Sequence, residues 1–255
     1  SKHSFLPYLF SCERKDRAVG DIQQIQICDN LSVSAAPSQL PWEGSLGVRF
    51  WGTYHTEGES TMTDFHALIH SYQNCACGQA HTCAIRDIEI GSGLVRSVGD
   101  ILRKNGFGPR LLLAADEQTL AAAEGIEASL AGFAVVRHIW PTIRVATMQD
   151  VEKIESYFDR VDGVLAVGTG SVHDPCRLAC ARHDVPLCLF ATAPSMDGFA
   201  SYSAPIVNGN FKITYPAKCP EVIIGDTKLL ADAPAALKSA GFGDMISKYI
   251  ALIDW

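Results

Sequence analysis

Gly163-Val164-Leu165-Ala166-Val167-Gly168-Thr169-Gly170-Ser171-Val172-His173-Asp174 decides the fold of this chain. Residues 163–167 form a continuous apolar run of strand length, and Val172–His183 has helical spacing. A buried strand therefore turns directly into a helix. At such a turn glycines let the backbone approach a phosphate. The helix N-terminus offers free N–H groups and a positive dipole end, and Ser171 adds a hydroxyl. The same glycines also suit a tight steric turn that binds nothing. The third glycine of the usual dinucleotide fingerprint is missing, and the motif sits on a late strand, so both readings stay open at this point.

Working outward, the same rhythm repeats. Upstream, Asp87–Ile90, Arg110–Ala115 and Ala134–Trp140 read as strands. Gly93–Asn105, Gln118–Leu130 and Met148–Val161 read as the helices between them. Downstream, Pro186–Ala191 is a further strand. Alternating strands and helices, with strands apolar throughout, predict an α/β fold whose parallel sheet is covered on both faces. The rhythm then breaks. Ala204–Val207 and Phe211–Tyr215 flank Asn208-Gly209-Asn210 as a hairpin. Glu221–Ile224 is a last strand, and Pro234–Ala240 and Asp244–Ile253 are two helices. Residues 1–61 show no sustained period and are expected to be a poorly ordered extension, with Met62 the expected natural start.

Composition narrows the function. Among 255 residues, 21 Lys+Arg face 28 Asp+Glu, a net charge of −7 that disfavours nucleic acid as a partner. The chain is 47% hydrophobic, enough for a substantial core, yet has no apolar run near the ~20 residues of a membrane helix. The first residues do not form a signal peptide. Nine cysteines at irregular spacing suit reduced thiols in a cytoplasmic protein better than a disulfide framework. Cys75, Cys77, His81 and Cys83 form a soft-ligand cluster. Cys-x-Cys is tighter than the usual zinc spacer and no second pair follows, so surface thiols or packing outweigh zinc.

Four further features carry chemistry. Asp116 ends a strand, where it can accept a ribose hydroxyl or simply cap the next helix. Thr192-Ala193-Pro194-Ser195-Met196-Asp197-Gly198-Phe199-Ala200-Ser201 gathers hydroxyls and a carboxylate beyond the next strand. It is either part of a ligand crevice at the carboxyl edge of the sheet or a self-satisfying polar turn. Asp244 starts the last helix, as a metal ligand or as ordinary helix-start electrostatics. Lys248, one turn on, would pair with it.

Taken in order, the Gly168–Asp174 and Thr192–Gly198 motifs, Ser203-Ala204-Pro205-Ile206, Ile224-Gly225-Asp226-Thr227 and Gly241-Phe242-Gly243-Asp244 resemble bacterial glycerol-1-phosphate dehydrogenases. These belong to the superfamily of iron-containing alcohol dehydrogenases, glycerol dehydrogenases and 3-dehydroquinate synthase. The resemblance runs from about Cys75 to Trp255. It implies a dinucleotide-binding α/β domain, residues 62–220, followed by the start of a helical metal-binding domain, residues 221–255. It also implies reduction of dihydroxyacetone phosphate to sn-glycerol 1-phosphate by NADH or NADPH, with a divalent metal (nickel, zinc or iron) polarising the carbonyl.

By motif, Gly168, Thr169, Gly170, Ser171 and Val172 would cradle the pyrophosphate. Thr192, Ser195 and Ser201 would contact the cofactor, and Asp116 would read the ribose, favouring NAD because a 2′-phosphate would be repelled. Asp197 and Asp244 would contact substrate as catalytic residues, and Asp244 would also ligate the metal. The two histidine ligands that complete the family's metal site have no counterpart, since none of the eight histidines follows Asp244. Met245, Ile246, Tyr249, Ile250 and Ile253 form an apolar stripe that no later element covers. The chain is thus expected to be a C-terminally truncated enzyme, homo-oligomeric when intact and without turnover in this form. A glycerol or polyol dehydrogenase and a non-catalytic nucleotide-binding module are the rival readings. A dehydroquinate-synthase-like lyase fits less well, because its Glu at position 244 and its longer glycine run are absent.

Overall fold

A computed structural model describes residues 83–254 and, apart from them, Ala67. The expected extension 1–61 and Cys75, Cys77 and His81 lie outside the described residues.

Eight strands form. They are β1 (Asp87–Gly91), β2 (Arg110–Asp116), β3 (Ala134–Trp140), β4 (Gly163–Gly168), β5 (Leu187–Ala191), β6 (Ser203–Asn208), β7 (Phe211–Pro216) and β8 (Val222–Asp226). Six of them make one sheet in the order β1-β8-β5-β4-β2-β3, and every neighbouring pair is parallel. β6 and β7 pair separately as an antiparallel hairpin turning at Gly209 (φ 60°), a conformation that favours glycine.

Within residues 83–254 the helices are α1 (Val98–Lys104), α2 (Glu117–Ala122), α3 (Ile126–Ser129), α4 (Met148–Glu155), α5 (Gly170–His183), α6 (Thr227–Asp232) and α7 (Ala235–Asp254). A 3₁₀ turn, Leu94–Ser97, leads into α1.

The alternation of side chains along buried strands divides the core between two faces. Leu112, Ala114, Val164, Ala166, Leu187 and Leu189 pack against Val151 and Ile154 of α4 and Val172 and Cys176 of α5. Leu111, Leu113, Ala115, Leu165, Val167 and Phe190 pack against Val98 and Leu102 of α1 and Ile126 of α3. The chain therefore leaves β2 over one face and leaves β4 over the other. β2 and β4 are neighbours, with Ala115 opposite Val167. Their carboxyl ends flank the crevice where a parallel sheet reverses direction, the usual ligand position in such sheets.

Several expected boundaries move. The helix expected over 118–130 is two helices separated at Gly125, whose φ of 93° no helix accommodates. The expected Met148–Val161 helix closes at Glu155, and turns follow. β8 lies inside the sheet between β1 and β5, so the sheet runs past the expected boundary at residue 220. The two helices expected at 234–240 and 244–253 are one continuous helix, α7. Gly241 and Gly243 each cost a helix only about 1 kcal/mol, too little to break a 20-residue element.

Candidate functional site

Three strand ends meet at the carboxyl edge, and hydrogen bonds tie them together. At the end of β2, Asp116 accepts from the Thr119 amide at 2.7 Å, while the Thr119 hydroxyl accepts from the Asp116 amide at 3.0 Å. This reciprocal cap starts α2. The same hydroxyl donates to the Val167 carbonyl of β4 at 2.9 Å. At the end of β5, the Thr192 amide donates to the Gly168 carbonyl at 3.0 Å. Asp116, Gly168 and Thr192, chosen from the sequence, are thus brought to one edge. Asp116 is also the capping residue that the simpler reading required.

The β4–α5 turn is built for close approach. A Cβ on Gly168 would lie 2.8 Å from the Val172 side chain, and one on Gly170 would lie 3.1 Å from the Met196 sulfur. Thr169 is the N-cap residue of α5, but no side chain caps this end. The amides of Gly170 and Ser171 have no intrahelical partner, because the first turn of any helix lacks one. Beside them lies a cavity of about 240 Å³ lined by Arg144, Gly170, Ser171, Asp174 and Lys212, among others. An open helix N-terminus with two cations at its rim fits an anionic phosphate. Sequence reading missed Arg144 and Lys212. Arg144 lies in the approach to α4 and Lys212 on β7, so no local motif signals either.

Beneath this rim, α5 carries buried polar groups. His173 is fully buried and edge-on to Phe199 at 5.7 Å between ring centroids. Burial drives its imidazole down to about 3, so it is neutral near pH 7 and is part of the core. Burial pushes the Asp174 carboxyl up to about 6, against the pull of Arg177 and Lys212. Arg177 is 1% exposed.

The second half of the site is the segment 192–203 and α7. The Asp197 amide donates to Asp244 Oδ2 at 2.8 Å. Lys248 Nζ lies 3.0 Å from Asp197 Oδ2 and 3.5 Å from Asp244 Oδ1. The structure therefore brings together the two carboxylates expected to act, and Lys248 bridges two elements rather than only pairing along its own helix. Hydrogen bonding to Asp197 leads the causes that raise the Lys248 ammonium above its ordinary value. Burial works against ionisation of Asp244, but the Asp197 amide and Lys248 outweigh it and hold the carboxyl below its usual range. Gly241 lets α7 dock here, since a Cβ would sit 1.8 Å from the Pro194 carbonyl oxygen and 3.3 Å from the Ser195 Cα. Gly241 thus shapes this contact from within one helix.

Some expected residues serve the fold. The Ser201 hydroxyl accepts from the Ser203 amide at 3.0 Å and lies 3.1 Å from the Ser203 hydroxyl, the self-satisfying turn of the simpler reading. Asp226 caps α6 and accepts from the Gly93 and Val95 amides, both at 3.2 Å, fastening the turn after β1. Cys176, Cys180 and Cys188 are buried free thiols pushed up by burial, and Cys83 and Cys219 are half-buried.

A metal is a different matter. Among the described residues no group of three His, Cys, Asp or Glu is placed to hold an ion. Both Asp244 oxygens already face a protein partner. The expected assignment of Asp244 as a metal ligand therefore has no supporting ligand set in the described residues.

Residues 89–234 match the iron-containing alcohol dehydrogenase family. The chain belongs to that family. Glycerol-1-phosphate dehydrogenase [NAD(P)+] of Halalkalibacterium halodurans is 31% identical over 190 residues, covering 71% of this chain and 47% of that protein. The protein of the same description from Methanothermobacter thermautotrophicus is 34% identical over 175 residues, covering 67% of this chain and 49% of its own length. The chain thus spans about half the length of the curated relatives it matches. Among solved structures, glycerol dehydrogenase from Schizosaccharomyces pombe superposes with a TM-score of 0.57 at 19% identity, over 65% of this chain and 43% of its own. NADH-dependent butanol dehydrogenase A from Thermotoga maritima superposes at 0.55 and 19%, over 63% of this chain and 47% of its own. These two likenesses speak for the fold alone.

No helix among the described residues is long and apolar enough to cross a membrane.

Proposed function

We propose that this protein is an NAD(P)H-dependent reductase of dihydroxyacetone phosphate, forming sn-glycerol 1-phosphate. The observation that carries the reading is the uncapped N-terminus of α5 at the reversal point of the sheet, where a Cβ on Gly168 would press on Val172. Gly168, Thr169, Gly170, Ser171 and Val172 hold the pyrophosphate by backbone N–H groups, and Arg144 and Lys212 offset its charge. Asp116 keeps one carboxylate oxygen on its cap and turns the other toward the adenosine ribose, which favours NAD over NADP. Thr192 and Ser195 place the nicotinamide end, and Ser201 supports them from its turn. When bound, the dinucleotide supplies a hydride to the C2 carbonyl carbon.

The rest is positioning by the chain. Asp197 and Asp244 accept from the substrate hydroxyl, and Lys248 holds the two carboxylates at close range. The family's divalent metal would use Asp244, but the described residues supply no further ligands, so no step is drawn through it. The likeness to glycerol-1-phosphate dehydrogenases supports the phosphorylated substrate; a cytoplasmic site of action and a homo-oligomeric state complete the proposal.

The test is the gene product assayed with NADH and NADPH, with and without Ni²⁺ or Zn²⁺, on dihydroxyacetone phosphate and on glycerol. The expected result is dinucleotide binding and preferential turnover of dihydroxyacetone phosphate. Preferential turnover of glycerol would mark a polyol dehydrogenase, and dinucleotide binding without turnover of either would mark a nucleotide-binding module. Either result overturns the proposal.

A further inference from the structure

The segment that carries Asp197 has little regular structure of its own. Between β5 and β6 it forms one 3₁₀ turn, Gly198–Ala200. A ladder or a long helix would fix such a main chain, and neither is present here. Its shape comes instead from a side chain beneath it. Arg177, on the second turn of α5, sends Nη2 to the Gly198 carbonyl at 2.8 Å and the Phe199 carbonyl at 3.1 Å. Nη1 reaches the Ser203 carbonyl at 3.2 Å and Asp174 Oδ1 at 3.1 Å. Three of the four acceptors belong to one segment. The His173 ring, four positions before Arg177, braces Phe199 from the same helix.

Burying a guanidinium is expensive, and one short pair with Asp174 does not account for its placement. The planar fork of arginine does. It presents several donors in fixed directions, so it can hold three carbonyls in a set geometry, where a lysine offers one flexible point. On its outer side the same segment meets Asp244 and Lys248 through Asp197. The segment is therefore held between a buried cation on α5 and an ion pair on α7.

We propose that Arg177 is a positioning residue, fixing the main chain of residues 198–203 and through it the direction of the Asp197 carboxylate. This rests on the reading above that Asp197 faces substrate. The Asp174 carboxylate orients the guanidinium, and the carbonyls of Gly198, Phe199 and Ser203 receive it. A purely stabilising arginine would loosen the whole α5–sheet contact when replaced. A positioning arginine loosens the segment first.

The experiment compares Arg177→Lys and Arg177→Met with the parent chain by amide hydrogen exchange, and the gene product by steady-state kinetics. In Arg177→Lys, amides of residues 198–203 are expected to exchange at least about tenfold faster, while those of β4 and β5 keep parental protection. In the gene product the same substitution should raise KM for dihydroxyacetone phosphate about tenfold and leave kcat within about threefold. Arg177→Met should exceed Arg177→Lys on both measures, so that lysine is a partial rescue. If the methionine variant does not fold, the lysine variant decides alone. Parental exchange at 198–203 in a folded Arg177→Lys chain would overturn the proposal. So would loosening spread evenly over β4, β5 and the segment. Absence of turnover in the parent gene product would sink the reductase reading instead, while the exchange result would still report on Arg177.

Discussion

The two halves of the site are held by different physics. The β4–α5 half rests on apolar burial: every residue of β4 is buried, and glycine permits the close contact with Val172. The Asp197–Asp244 half rests on polar contacts between distant residues. Asp197 and Asp244 are 47 positions apart, and Arg177 reaches 21 positions to Gly198. Around it, α7 exposes Ile246, Tyr249, Ile250 and Ile253. The first half is thus preformed by the core. The second is assembled by side chains from three elements, so it is the half that loosens first.

The largest break should come inside the second half, where α7 docks on the 192–203 segment. Gly241→Val would place a branched side chain where the Pro194 carbonyl oxygen now lies 1.8 Å from a bare Cβ position. Exchange protection of α7 should be lost while β4 and β5 keep theirs, and loss of both would show that the halves are not separable. Gly168→Val attacks the other half. Its Cβ would start 2.8 Å from Val172, and overpacking of this kind costs about 1–3 kcal/mol. A lowered melting temperature should come with weakened NADH binding and intact protection of α7.

A third test uses pH. His173 is held near 3 in the fold and should take up a proton on unfolding below the ordinary imidazole value of 6.5. It therefore withdraws stability as pH falls, by about 1.4 kcal/mol per unit. Asp174 has the opposite sign. Its folded value of about 6 exceeds the ordinary aspartate value of 3.8, so the fold binds the extra proton and gains stability as pH falls between them. Between about pH 6 and 4 the two contributions cancel. Asp174→Asn should unmask the His173 limb, and its stability should fall relative to the parent by about 1.4 kcal/mol per unit over that range. A parallel pair of curves would mean that the two groups do not titrate as buried neighbours. The smallest effect is at Asp116. Asp116→Asn keeps a capping oxygen, so stability should change by less than about 0.5 kcal/mol. Removal of the charge should improve NADPH binding relative to NADH, which paired titrations would detect.

The same contrast explains what the sequence could reveal. Apolar runs in β2, β4 and β5 and the glycines after β4 are local signals, so the parallel sheet and the α5 turn were legible. The join of two expected helices into α7 was not, because Gly241 reads locally as a breaker while its use is a contact with Pro194. Asp197 and Asp244 were legible through a family resemblance, but their mutual contact was not. Nor were the role of Arg177 and the reach of Lys248 beyond Asp244 to Asp197, since a charged residue in a helix shows only its local neighbours in the sequence. Ser201 shows the converse. It sits in a motif that suggests a ligand, and its hydroxyl is turned into its own loop.

The most direct test of the phosphate cradle is NADH titration of the parent chain and Gly170→Asp, followed by melting of both. The introduced Cβ would lie 3.1 Å from Met196 Sδ, the yielding part of a flexible side chain. An aspartate in the first turn also favours a helix, so stability should not fall by more than about 1 kcal/mol. Its carboxylate would occupy the place assigned to the pyrophosphate. The account predicts that the parent binds NADH and that Gly170→Asp binds at least about tenfold more weakly without melting earlier. Equal affinity in the two proteins, or no binding by the parent, would contradict it.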